Sequence, residues 1–168
     1  MNLAYPPAPN LSAPALAVES ESTATPARIL VLDDDEMLRE LLTKGLRRAT
    51  YHVSTANNGE AGWEALCAEN FDLLITDHEM PRLTGLNLLR RIRLGARQVP
   101  VILMSGNLPW EEPDLRPLLA PGVAMQKPFF LVEMLTNIRR LLGISRLSAV
   151  QRGSAPENFT GVGSVSPG

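Results

Sequence analysis

The chain has 168 residues, 45% of them hydrophobic and 20% charged, with a formal net charge of −2. That is the size and composition of a single globular domain; near-neutrality sets it apart from a strongly basic nucleic-acid binder, and no apolar run reaches the roughly 18 residues that span a bilayer. A lone cysteine, Cys67, leaves no internal disulfide and points to a reducing, cytoplasmic compartment.

Residues 1–27 carry Pro6, Pro7, Pro9, Pro14 and Pro26, much Ala and Ser, and no Lys or Arg. This stretch has too few large apolar groups to offset the entropy of ordering it, so a disordered leader is expected. A signal peptide would need a basic segment first, and none is present. Arg28-Ile-Leu-Val-Leu-Asp33 is a continuous apolar run, the mark of a strand buried on both faces. Asp35 suits the cap of a following helix. In that helix Leu38, Leu41, Leu42, Leu46 and Ala49 recur at helical spacing, with Arg39, Lys44, Arg47 and Arg48 opposite.

His52–Ala56 reads as a weaker, edge strand, and Asn57-Asn-Gly59 as a turn. Trp63, Leu66, Cys67 and Asn70 lie along one side of a second helix. Phe71–Asp77 is the next apolar strand. After the loop from Pro81 to Gly85, capped by Thr84, Leu86, Leu89 and Ile92 mark a third helix whose Arg90, Arg91, Arg93 and nearby Arg97 read as a solvated face. Pro100–Met104 and Val123–Gln126 are the fourth and fifth strands. Between them Pro109, Pro113, Pro117 and Pro121 predict a short or irregular fourth helix, because proline costs about 3 kcal/mol in a helix interior. Leu131, Met134, Leu135, Ile138, Leu141 and Leu142 give the cleanest helical stripe. Residues 144–168 are rich in Gly, Ser and Pro and are expected to form a disordered tail. The folded domain is then 28–143.

Five apolar strands alternating with helices imply an α/β fold, a doubly wound parallel sheet covered on both faces. Ligands in such folds bind at the carboxyl ends of the strands. Those ends carry Asp33-Asp34-Asp35, Asp77, Ser105-Gly106-Asn107 and Lys127-Pro128. Carboxylates gathered on one rim repel, so either some protonate or a cation binds. Oxygen ligands of this kind suit Mg²⁺. A carboxylate beside a metal and a lysine is also a competent phosphoryl acceptor. Taken singly, Asp33–Asp35 read as well as helix-capping acids, and Ser105 reads better as a turn former. Lys127 is one of two lysines against fourteen arginines, which suggests that a compact point charge is wanted there. His52 and His78 lack ligand spacing and are expected at the surface.

Four segments together resemble the receiver domain of two-component response regulators: Ile29-Leu-Val-Leu-Asp-Asp-Asp35, Asp72-Leu-Leu-Ile-Thr-Asp-His-Glu-Met-Pro81 with Gly85, Val101-Ile-Leu-Met-Ser-Gly106, and Gln126-Lys-Pro-Phe129. They occur in the family's order and cover nearly all of 28–143. The resemblance implies a flavodoxin-like sheet of order 2-1-3-4-5. It makes Asp77 the phosphoacceptor, Ser105 and Lys127 the groups that engage the phosphoryl, and Asp33, Asp34, Asp77 and the Glu79 backbone carbonyl the ligands of Mg²⁺. It also implies a cis bond before Pro128. The implied activity is acceptance of a phosphoryl group from a sensor histidine kinase or histidine phosphotransfer protein. The chain would assist its own phosphorylation and dephosphorylation and would not be an enzyme in the ordinary sense.

With only a short tail after the domain, a stand-alone regulator is expected. It would signal through a downstream protein or a phosphorylation-dependent homodimer, without direct contact to nucleic acid or membrane. Three positions depart from the family pattern or tune it. Ala124 stands where receivers often carry a switching aromatic, and Glu79 and Asn107 occupy positions that flank the attacking water, where they are expected to act on phosphoryl decay more than on uptake. The alternative reading is a receiver-fold binding module that does not depend on phosphorylation, favoured by Ala124 and the proline-rich segment. An aspartate-nucleophile phosphatase of the haloacid dehalogenase kind shares the Asp33-x-Asp35 spacing, but Met37 replaces that family's Thr or Val and the chain lacks room for its cap.

Overall fold

The computed structural model describes residues 25–95 and 97–153. The expected leader, apart from 25–27, and the tail beyond 153 lie outside the described residues. Ten elements alternate: β1 (Arg28–Leu32), α1 (Glu36–Arg48), β2 (His52–Ala56), α2 (Gly59–Ala68), β3 (Leu73–Asp77), α3 (Gly85–Leu94), β4 (Val101–Ser105), α4 (Leu115–Leu119), β5 (Gly122–Gln126) and α5 (Leu131–Gly153). All strand pairings are parallel, and the sheet order is β2-β1-β3-β4-β5. The three inner strands are the continuous apolar runs, buried almost throughout, while the mixed sequences of β2 and β5 lie at the edges.

Alternation along each strand splits the core into two layers. Ile29, Val31, Leu73, Ile75, Ile102 and Met104 face α1 and α5, meeting Leu42, Leu46, Met134, Ile138 and Leu141. Leu30, Leu32, Leu74, Val101 and Leu103 face α2, α3 and α4, meeting Leu66, Leu86, Leu89, Ile92, Leu115 and Leu119. At about 25 cal/mol per Å² of apolar surface removed from water, these layers are the main favourable term in the fold. Asp35, Asn58 and Thr84 cap α1, α2 and α3 by accepting backbone N–H bonds with their side chains. The fourth helix is a single turn. Pro117 sits in its first turn, where no N–H is needed, and Pro121 follows its end.

Several local expectations change. Leu41 lies 60% exposed, off the buried stripe formed by Leu42 and Leu46. Cys67 is exposed rather than packed. Ala27, counted with the leader, is buried in the core, and its carbonyl accepts from the His52 N–H. At the other end α5 runs on to Gly153, ten residues past the boundary drawn at Gly143. Ile144, Arg146, Leu147 and Val150 lack the Gly and Pro that end a helix, so composition averaged over the tail hid its helical start.

The arginines of α3, and Arg97 just beyond it, are only in part a solvated face: Arg91 is exposed, while Arg90, Arg93 and Arg97 are half-buried. Arg90 bonds both carboxylate oxygens of Asp114 and one of Glu112. These hydrogen bonds, with the Arg90 charge behind them, hold the Asp114 carboxyl below the usual range, and Asp114 in turn raises the guanidinium. Arg93, half-buried, donates to the carbonyls of Leu118, Arg97 and Val99. Burial pulls its pKa down. Arg97 donates to the Leu66 carbonyl, and Arg91 lies over the Trp63 ring. These side chains tie α3 to the α4 turn, to α2 and to the approach to β4.

Candidate phosphoacceptor and metal site

Register places the chemistry. Leu32 pairs with Thr76, Asp77 with Met104, and Ser105 with Gln126. The four strands therefore end level, and Asp33, Asp77, Ser105 and Lys127 emerge on one rim. The strand ends are held in turn by neighbouring loops. The Lys127 N–H donates to the Ser105 carbonyl at 2.8 Å, and the His78 N–H to the Met104 carbonyl at 2.7 Å.

Asp33 is fully buried, Asp77 nearly so, and Asp34 exposed. One carboxylate oxygen from each lies within 4.8 Å of the others. The Lys127 ammonium sits between two of them, 3.0 Å from Asp33 Oδ2 and 3.1 Å from Asp77 Oδ1. Asp33 is fixed further by the Asp35 N–H on its Oδ1 (2.9 Å) and by Arg39, whose guanidinium donates to the Asp33 carbonyl at 2.7 Å. From sequence Arg39 lies only on the polar side of α1. The Asp77 Oδ1 also accepts from the His78 N–H at 2.9 Å. Lys127 precedes a cis Pro128, as the resemblance implies.

Burial pushes the Asp77 carboxyl above its ordinary value, helped by the nearby Asp33 charge and opposed by Lys127 and the His78 N–H. For Lys127 burial works against the charge, but the hydrogen bonds and charges of Asp33 and Asp77 outweigh it and hold the ammonium above the usual lysine value. The site thus keeps one ammonium against three converging carboxylates. That residual negative charge, presented by hard oxygen donors, fits a divalent cation of the Mg²⁺ type.

Ser105 is buried; its hydroxyl donates to Glu79 Oε1 at 3.1 Å and accepts from the Asn107 N–H at 3.0 Å. The second Glu79 oxygen accepts from the Gly106 N–H at 3.4 Å. From sequence Glu79 offers a backbone carbonyl and a place beside the attacking water; its side-chain contact joins residues 26 positions apart. Gly85 is required close by, because a Cβ there would press into the Asp77 carbonyl oxygen. Ala124 packs half-buried in the α3 layer. His78 is half-buried with Nδ1 enclosed and without a partner among the described residues, rather than lying free at the surface. An apolar groove shares Asp35 and Lys127 with the rim and is lined by Met37, Leu38, Leu41, Pro128 and Phe129.

Residues 29–139 match the family model for the response regulator receiver domain. The chain belongs to that family. Its two-component signalling relatives include the response regulator receiver protein CpdR of Brucella abortus, 35% identical over 118 residues, a match covering 68% of this chain and 96% of CpdR. The 3′,5′-cyclic-nucleotide phosphodiesterase regA of Dictyostelium discoideum is 42% identical over 90 residues, covering 51% of this chain but 11% of regA. Other curated relatives are longer, and the chain spans about half or less of the length of several of them. Among solved structures, the response regulator TrrA of Thermotoga maritima, in complex with Mg²⁺–BeF, is 33% identical with a TM-score of 0.61, covering 68% of this chain and 98% of TrrA. The chemotaxis response regulator CheY4 of Vibrio cholerae is 26% identical with a TM-score of 0.64, covering 70% of this chain and 99% of CheY4. This receiver fold, with order 2-1-3-4-5, is the one the resemblance implies.

Proposed function

We propose that the receiver domain takes a phosphoryl group onto Asp77 from a phosphohistidine on a sensor kinase or phosphotransfer protein. The observation that carries this reading is the Lys127 ammonium held between Asp33 and Asp77, at the one rim where Asp34 and Ser105 also converge. A carboxylate oxygen of Asp77 attacks phosphorus as the bond to the donor imidazole nitrogen breaks, and the imidazole leaves with its electron pair and takes a proton from water. Lys127 meets the charge on the transferring oxygens, and the Ser105 hydroxyl and neighbouring backbone N–H groups supply further donors. Asp33, Asp34 and Asp77, with the Glu79 carbonyl, would hold Mg²⁺, which when bound neutralises charge on the phosphoryl oxygens.

The chain acts on itself and turns over no separate substrate. The apolar groove beside the rim offers a protein donor a seat. Among the described residues no helix is long and apolar enough to cross a membrane. In this proposal the phosphorylated domain signals through an output protein or a phosphorylation-dependent homodimer, as the receiver protein CpdR, matched along 96% of its length, has no room for a large second domain of its own. The small Ala124 favours the alternative, a binding module independent of phosphorylation. Intact-protein mass after incubation with acetyl phosphate and Mg²⁺ separates the two. The proposal expects one phosphoryl group on the wild type, none on Asp77→Asn, and none once Mg²⁺ is chelated. An unlabelled wild type beside a labelled control receiver favours the module.

A further inference from the structure

Before any reaction, the groups that receive the phosphoryl are already bonded to an anion. Glu79 Oε1 takes the Ser105 hydroxyl at 3.1 Å, and Oε2 takes the Gly106 N–H at 3.4 Å. Ser105 is buried, so its hydroxyl has few other acceptors to turn to, while Glu79 itself is exposed and free to swing outward. A carboxylate and a phosphoryl group both present negative oxygens, and two such groups cannot share the same pair of donors.

We propose that the Glu79 carboxylate acts as an internal stand-in for the phosphoryl group and gates its uptake. The inference rests on the phosphoacceptor reading of Asp77 and adds to it a residue that sets the ease of the reaction from within. The incoming phosphoryl must displace Glu79 from Ser105 and Gly106, and the displaced side chain moves its charge out to solvent. The gate works in both directions, because a returning Glu79 competes for the same donors once the phosphoryl is present. From its position beside the attacking water alone, Glu79 was expected to act on decay more than on uptake. The two hydrogen bonds place its main effect on uptake instead. Its role is that of a positioning residue, since it holds the donors and makes no bond to phosphorus.

The test uses the full chain at saturating Mg²⁺. Labelling rates with acetyl phosphate and equilibrium binding of beryllofluoride, read by ¹⁹F resonance, are compared for wild type, Glu79→Gln and Glu79→Ala. The gate predicts that Glu79→Ala labels about tenfold faster and binds beryllofluoride about tenfold tighter, with the neutral but similarly shaped Gln between them; tenfold corresponds to about 1.4 kcal/mol. In the unlabelled protein the Gly106 amide resonance should shift in Glu79→Ala, and it should also shift when beryllofluoride binds the wild type. A wild type that labels while Glu79→Ala labels at the same rate or slower overturns the gate and leaves the phosphoacceptor reading standing. A wild type and variants that neither label nor bind overturn both.

Discussion

Replacing Lys127 by Met keeps most of the side-chain stem and removes the ammonium set 3.0 Å from Asp33 and 3.1 Å from Asp77. At an effective dielectric near 20, each of those contacts is worth about 5 kcal/mol before desolvation is counted. The net cost of removing one partner from a buried ion pair is smaller, about 3–5 kcal/mol, because what is left behind is an uncompensated buried charge. The Lys127 side chain is 24% exposed and the rim admits water, so the low end, about 3 kcal/mol, applies. For a domain of this size that lowers Tm by about 10 °C. Thermal unfolding followed by circular dichroism in chelator reads it directly. Adding Asp77→Asn to the variant neutralises one of the two stranded carboxylates and should recover about half of the loss. Millimolar Mg²⁺ should narrow the gap further, since the metal ligands are untouched and the cation binds the folded state. A Lys127→Met protein that melts within about 2 °C of the wild type would refute the reasoning, as would a double variant with no recovery.

Other outcomes follow from the same geometry. Asp77→Asn should remove phosphoryl uptake and raise Tm, because burial makes the ionised carboxylate costly. The sign follows from linkage: the folded pKa lies above the unfolded value, so the native state binds more protons between the two, and wild-type stability falls as pH rises through that interval. Asp77→Asn should lack that decline, and urea titrations in chelator from acid to neutral pH check it. Gly85→Ala should cost about 1–3 kcal/mol and slow labelling, because the new Cβ pushes on the Asp77 carbonyl; a urea midpoint equal to wild type contradicts this. Asp35→Ala removes the acceptor for the Met37 and Leu38 N–H groups and should cost about 1 kcal/mol in the same titration.

The fold was legible because its strongest signals are local. Ile29–Leu32, Leu73–Ile75 and Val101–Met104 are apolar enough to be inner strands whatever surrounds them, and the prolines around Leu115–Leu119 allow no long helix. Parallel strands then forced Asp33, Asp77, Ser105 and Lys127 onto one rim, so the site was readable from topology plus four short segments. What stayed hidden depends on partners far along the chain. Arg90 meets Asp114 at a separation of 24 residues, Arg97 meets Leu66 at 31, and Glu79 meets Ser105 at 26. A charged side chain on a helix reads as solvated until its partner is placed beside it. The exposure of Leu41 has a related cause. Its spacing fits the stripe, but α1 buries only the narrow side carrying Leu42 and Leu46.

Asp77 is the residue proposed to accept the phosphoryl group, and its product can be read directly. The wild-type chain is incubated with acetyl phosphate and Mg²⁺ and then reduced with borohydride, which converts an aspartyl phosphate to homoserine, and the peptides are sequenced by mass. Homoserine at position 77, and at neither 33 nor 34, is the predicted result. Homoserine at Asp33 or Asp34, or a labelled protein with position 77 unchanged, would contradict it.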